Sequence, residues 1–582
     1  MPKYTVGEKG PVVDLNKDNF KTKGGEGSIH IIGSVVYKVC DPGRMIPQLK
    51  LKELAALDHP RIIRPDLMLF DSKKHPVGYT MKLVPGNSLP LAQILTKTYR
   101  EREGVTPSHM LNLVAQIADG LRYIHGRPGY LQVDGNELNY MVTDDYGEIH
   151  FIDVNSFQTP NFPADAIMPS IRDWSVGHDA SGRWQWTTLS DWYSFAIVSW
   201  YMFTGIHPFK GRHPKFPDIK TAMIDQMKAG VSVLDPDSTF PKAAVYFPFE
   251  DVIPGGKNGA YWQWFREILV NKKRLPAPDS FQATLVFVAK VKEIVGSDKF
   301  EIVMLRQYKG QITGFVEKDG KEVVITTEGL YVNNQPYPKI TNRFRVGFTP
   351  KGNNAVAVTF DGTTAEVIDL ESQKPVNNGR FPASDVMSYD GRLYLQVDHQ
   401  VYELDFLENN TSTMVLTVPV ANVMPTATKM FQGVVLQDVF GARFVSVFPE
   451  SRHHRQVQMK ELDGLAVTDA KFERGVLMVL AMNREQGDYT RFVFRFAADW
   501  NTYDVRRVEH VTPTGLNFTV LPNGIVVSIT EEEKVEIFSN KKDSPDIKSI
   551  SDPAISGDMR LCHAGAQVRR AHGDKLYTFK MK

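Results

Sequence analysis

Leu131-Gln132-Val133-Asp134-Gly135-Asn136-Glu137-Leu138-Asn139-Tyr140-Met141-Val142 carries a carboxylate and a carboxamide five residues apart and runs directly into an apolar strand. Fourteen residues after Asn139, the apolar pair Phe151-Ile152 ends on Asp153, with Gly147 between them. Two short apolar runs around a glycine turn read as a hairpin. Hairpin pairing would bring Asn139 and Asp153 to one end, where both could hold a hard cation through oxygen.

Upstream, Gly24-Gly25-Glu26-Gly27-Ser28 precedes another apolar strand. Glycines there would let the backbone close over phosphates without side-chain obstruction. Eleven residues after Gly27, Val35-Val36-Tyr37-Lys38-Val39 sets one lysine inside a strand. A lone strand lysine usually faces solvent, but after a glycine loop it is a candidate phosphate ligand. Phosphoryl transfer needs a phosphate cradle, a cation, oxygen ligands for magnesium and a carboxylate beside the attacking hydroxyl. The first half supplies all of them in order.

That order, glycine loop, lysine, D-x-x-x-x-N, then D, resembles the eukaryotic-type protein kinase signature set. The Gly-Gly-Glu-Gly loop and the run Ile152-Asp153-Val154-Asn155-Ser156-Phe157-Gln158 are similar to a bacterial and phage branch described as helix-hairpin-helix kinases. The likeness covers about residues 20 to 284. It implies an α+β bilobal protein-kinase-like fold, with a small lobe over about 1–84 and a large lobe over about 85–284. It also implies ATP and Mg²⁺ as cofactors. Gly25 and Gly27 would cradle phosphates, Lys38 would pair with them, Asp134 would accept the hydroxyl proton, and Asn139 with Asp153 would bind magnesium. Met81 and Leu83, in the segment Tyr79 to Leu89, would line the adenine pocket. Asp191, leading an apolar helix, would brace the catalytic loop.

Several positions depart from the resemblance. His30 stands near the place of the third loop glycine, and Lys50 holds the usual position of the helix glutamate that pairs with the strand lysine. Glu53, one helical turn later, is the nominee for that pairing. Gln132 and Val133 replace the customary histidine and arginine, so a phosphate on the following segment would lack its partner. Asn136 stands where a lysine commonly neutralises the transferred phosphate, Asn155 follows the metal aspartate in place of glycine, and Pro169-Ser170 lacks the expected glutamate. These gaps keep open a pseudokinase scaffold, a small-molecule kinase and a structural component of a larger assembly such as a phage particle.

Helical periodicity supports three helices. After Thr106-Pro107-Ser108, Met110, Val114, Ile117, Leu121 and Ile124 recur at three- and four-residue steps before Gly126. A second helix over Asp191 to Thr204 is apolar nearly all round, and a third lies near Tyr261 to Val270. The aromatics Tyr261, Trp262, Trp264 and Phe265 read as packing. Beyond the proline-broken segment from Arg274, a domain boundary at 284/285 is expected.

From 285 to 582 the pattern changes to short apolar strands after turn glycines: Gly310, Gly352, Gly391, Gly433, Gly475, Gly524 and Gly573. Steps of 39 to 49 residues suit four-stranded propeller blades. An all-β domain, a seven-bladed β-propeller, is the expectation, with a sandwich pair as the competing pattern. Its loops would recruit a protein substrate.

Composition narrows the alternatives. With 68 Lys and Arg against 67 Asp and Glu, no global field attracts nucleic acid or an anionic membrane. Two cysteines, Cys40 and Cys562, make no disulfide framework, so a reducing, cytoplasmic setting is expected. Residues 1–10 lack the apolar core of a secretory signal, and the apolar run from Trp192 to Gly205 is too short to span a bilayer. The reading is an ATP- and magnesium-dependent protein kinase acting on serine or threonine.

Overall fold

The computed structural model describes residues 3–239, 252–278, 297–350, 354–408 and 413–582. The expected boundary at 284/285 and the Lys351-Gly352 turn lie outside the described residues.

The chain opens with a seven-stranded antiparallel sheet. Its strands are β1 (Lys3–Val6), β2 (Val12–Asp14), β3 (Phe20–Gly24), β4 (Gly27–Ile32), β5 (Val35–Cys40), β6 (Met68–Phe70) and β7 (Pro76–Lys82), with α1 (Gln48–Leu54) between β5 and β6. The spatial order is β2-β1-β6-β7-β5-β4-β3. Lys38 on β5 pairs with Ile29 on β4 and Tyr79 on β7, so it sits on an interior strand rather than an edge.

After β8 (Leu89–Pro90) come α2 (Leu91–Ile94), α3 (Lys97–Glu103) and α4 (Pro107–His125). Thr106 caps α4: its side chain accepts from the His109 N–H, His109 answers on the Thr106 N–H, and Pro107 occupies the first turn, where no donor is missed. β9 (Tyr140–Val142) and β10 (Ile149–Phe151) pair as a hairpin, with Phe151 opposite Tyr140. α5 (Thr188–Thr204) is capped by Thr187 and stopped by Gly205 at φ 73°, and it is buried over most of its length. α6 (Ala222–Ala229) and α7 (Ala260–Leu269) complete the helices among the described residues. Trp200 of α5 stacks near Trp262 and meets Phe265 edge-on, so the aromatics of α7 are core.

The described residues of the second half form a ring of seven four-stranded antiparallel units in chain order. The second and third units are joined into one eight-stranded sheet through a parallel bridge, Asn377 to Met414. β11 (Phe300–Gln307) pairs with the last strand, Lys575–Met581, so the strand that opens this half completes its final unit. Gly391, Gly433, Gly475 and Gly524, all at positive φ, turn the first strand into the second in successive units. Gly573 falls one strand later and Gly310 precedes the first unit. A cavity of about 1230 Å³ is lined by α3 and by residues of every unit.

An α+β bilobal fold does not describe this molecule. Among the described residues strand makes up 42% and helix only 16%, and the strands form eight separate sheets, so the structure is β-rich. Residues 126–187, expected within a helix-rich lobe, form short strands, turns and two 3₁₀ turns instead. Prolines, glycines and turn-forming aspartates there give the backbone local alternatives to a helix. No helix among the described residues is long and apolar enough to cross a membrane.

Candidate functional site

The Gly24–Gly27 turn joins β3 to β4 and lies over β5. At Gly27 (φ 155°) an added Cβ would strike the Val39 carbonyl, so only glycine permits this approach. The turn carries Glu26 to Lys38: Lys38 Nζ is 2.7 Å from Glu26 Oε2, 3.1 Å from Asp153 Oδ1 and 3.4 Å from Asn155 Oδ1. Asn155 Nδ2 also donates to Glu26 Oε2, at 3.2 Å. Burial alone would lower the Lys38 pKa, but Asp153, Tyr79 and Glu26 together raise it well above the ordinary lysine value.

Glu53, nominated as the partner of Lys38, lies elsewhere. It is half-buried near the end of α1, and its carboxylate accepts from the Asn161 side chain and backbone N–H. The place of Glu53 on α1 had no way to reveal this, because the glycine turn delivers Glu26 from a different element. Lys50, one turn earlier on α1, is buried. Burial lowers its pKa, opposed by Asp165, Glu26, Glu53 and Asp153.

Asn139 and Asp153 stand at the same end of the β9–β10 hairpin, where the Ile152 N–H donates to the Asn139 carbonyl at 2.9 Å. Asp153 adopts a left-handed backbone (φ 55°) that launches the 3₁₀ turn Val154–Ser156. Asn139 Nδ2 donates to the Asp134 carbonyl at 2.7 Å and to Asp134 Oδ2 at 3.3 Å. The Met168 N–H donates to Asp134 Oδ1 at 2.9 Å. Burial raises the Asp134 pKa, the Met168 and Asn136 hydrogen bonds oppose it, and Asp153 adds to the rise.

Asp191, 3% exposed, holds the loop from behind. Its oxygens accept the N–H groups of Gln132 (2.9 Å) and Val133 (2.8 Å) and face His125 Nε2 at 3.0 Å. Val133 has φ 61°, a costly conformation for a β-branched residue. Met81 and Leu83 lie half-buried at the end of β7, and the Leu83 N–H is already given to the Ser34 carbonyl at 3.0 Å. Gly25 is open to solvent on its side-chain face.

The ring also reaches this site. Thr22 Oγ1 on β3 donates to Asp438 Oδ2 at 2.7 Å, and the Gly487 backbone packs so closely on the side chains of Met168 and Ser170 that a Cβ there would have to displace them. Glu137, buried in the Asp134 loop, lies with Tyr489 of the ring, and burial pushes its pKa up to about 7. Nothing in the local sequence signals these contacts. A separate group, His213, Asp235 and Asp237, brings three ligand atoms within 4.8 Å of one another near α6.

For magnesium, the donor set fits: Asn139 Oδ1 and Asp153 Oδ2 are hard oxygens with no hydrogen-bond donor among the described residues. No protein-family model matches the chain, and no curated protein matches it.

Proposed function

We propose that the chain transfers the terminal phosphoryl group of ATP to a serine or threonine hydroxyl of a protein, in a magnesium-dependent reaction. One observation carries the reading: Lys38 bonds Asp153, whose second oxygen lies at the same hairpin end as Asn139, while Asn139 bonds Asp134. The reading rests on these side chains and not on the class of the fold.

Each residue would act through its own chemistry. Lys38 would leave Glu26 and place its ammonium on phosphate oxygens. Asn139 and Asp153 would hold the metal, which when bound neutralises phosphate charge. Asp134, kept in place by Met168 and Asn139, would orient the attacking hydroxyl and take its proton. Its raised pKa suits it to that transfer. Asp191 would hold the loop in its strained form. Met81 and Leu83 would flank the base, and the ring would bring the substrate protein to Asp134. Two free cysteines suit a reducing, cytoplasmic setting.

A second reading is a nucleotide-binding scaffold, favoured by the resting pairing of Lys38 with Glu26 and by the occupied Leu83 N–H. Incubation of the full chain with labelled ATP and Mg²⁺, beside Asp153→Ala, decides between them. Label on the native chain alone supports transfer; equal label on both overturns it.

A further inference from the structure

The first half and the ring meet along a seam beside Asp134. On one side is β3, where Thr22 bonds Asp438, the Phe20 carbonyl accepts from Thr426, and the Phe20 ring lies 4.4 Å from Phe440. On the other side the ring loop 483–487 rests on Met168 and Ser170, and Met168 bonds Asp134. An acceptor approaching Asp134 along this face would be flanked by β3 and by the ring.

Four cations gather there: Lys21 of β3, Lys429 and Arg443 of the fourth ring unit, and Arg484 of the loop that carries Gly487. Lys429 Nζ donates to Gln93 Oε1 at 3.4 Å, and the neighbouring Ala92 N–H donates to the Glu137 carbonyl at 3.0 Å, inside the Asp134–Asn139 loop. The cluster therefore borders the loop of the proposed catalytic carboxylate.

Two carboxylates, Asp385 and Asp438, lie near these cations, and both are already engaged. Asp438 binds Thr22, Arg443 (3.1 Å) and the Gly441 N–H, while Asp385 binds Arg343 (2.9 Å) and the Met430 N–H. Among the described residues, the side chains of Lys21 and Arg484 have no hydrogen-bond or ion-pair partner. Exposed like charges are screened cheaply by water and salt. Here Arg443 is buried, Lys21 and Lys429 are half-buried and Arg484 is exposed, so the charge on the first three is poorly screened. Burial first, and then Lys21, Arg443 and Arg484, push the Lys429 pKa down to about 7. An anion in the seam would relieve that repulsion.

We propose that this seam is the acceptor groove and that it selects a serine or threonine lying in an acidic peptide, whose flanking carboxylates or phosphates pair with Lys21, Lys429 and Arg484. The inference rests on the phosphotransfer reading for turnover but not for binding.

The test is fluorescence anisotropy on the full chain with serine peptides of one length whose flanking residues are Asp/Glu, phosphoserine, Asn/Gln or Lys/Arg. The acidic or phosphorylated peptide binds about tenfold tighter than the neutral one, and Lys429→Gln with Arg484→Gln removes most of that preference. The Asp/Glu and phosphoserine arms tell which anion the groove prefers. Unaltered melting of the double variant excludes misfolding, and raising salt from about 50 to 300 mM weakens acidic-peptide binding in the native chain. Equal affinity for acidic, neutral and basic peptides, or a preference untouched in the folded double variant, overturns the proposal. If acidic peptides bind selectively but none is labelled by MgATP, phosphotransfer fails and the groove stands. If all peptides are labelled alike, the groove fails and phosphotransfer stands.

Discussion

Lys38 Nζ stands 2.7 Å from Glu26 Oε2 and 3.1 Å from Asp153 Oδ1, so one ammonium joins the glycine turn to the proposed metal ligand. A nucleotide phosphate would compete with Glu26 for it. Glu26→Gln removes the competing charge, and the Kd for ATP without metal, measured by calorimetry, falls by about three- to tenfold. Glu53→Ala leaves it unchanged, since that carboxylate serves Asn161.

Asp191 accepts two backbone N–H groups from a loop that contains Val133 at φ 61°. Its removal leaves buried donors without acceptors. Asp191→Ala is expected to cost about 3 kcal/mol and to lower the melting temperature by several degrees. Val133→Gly, which relieves the backbone strain, recovers part of the loss when added to it.

Glu103 at the end of α3 is buried against Arg102 (2.9 Å), Arg343 (3.0 Å) and Arg345 (2.7 Å), two of them from the ring. Burial would raise its pKa, but the guanidiniums hold it well below the carboxylate range. Glu103→Ala leaves half-buried Arg345 without its carboxylate, while Arg102 keeps Asp469 and Arg343 keeps Asp385, at about 1–3 kcal/mol. Limited proteolysis should then release the two halves at a temperature where the native chain resists.

Glu137 has its pKa raised by burial from an ordinary 4.5 to about 7, with the Asp134 charge adding to the rise. The folded chain therefore holds a proton that the unfolded chain has lost across that window. Its contribution is greatest at low pH and is lost as pH rises from about 4.5 through about 7, amounting to at most about 3 kcal/mol. Glu137→Gln should melt above the native chain at pH 8 and level with it near pH 5, in parallel thermal scans.

Where structure depended on a few neighbouring residues, the sequence was informative. Thr106 and Gly126 bracket a helix observed over Pro107–His125, and Thr188–Thr204 ends at Gly205. The apolar runs around Gly147 place Asn139 and Asp153 together because a hairpin needs only its own two strands. Gly391, Gly433, Gly475 and Gly524 mark equivalent turns, whereas Gly310 and Gly573 share the spacing without the role. A glycine reports a turn but not which strands it joins.

Capping, turn chemistry and strand period were thus determined by the sequence alone, since caps and hairpins close within a few residues. The β-rich class of the structure, the choice of Glu26 over Glu53 as partner of Lys38, and the cationic seam were decided only by tertiary structure. Thr22 meets Asp438 across 416 positions of chain, and Lys21 shares a field with Lys429. Contacts closed over such distances are set by how sheets pack against one another, and no local residue pattern carries that information.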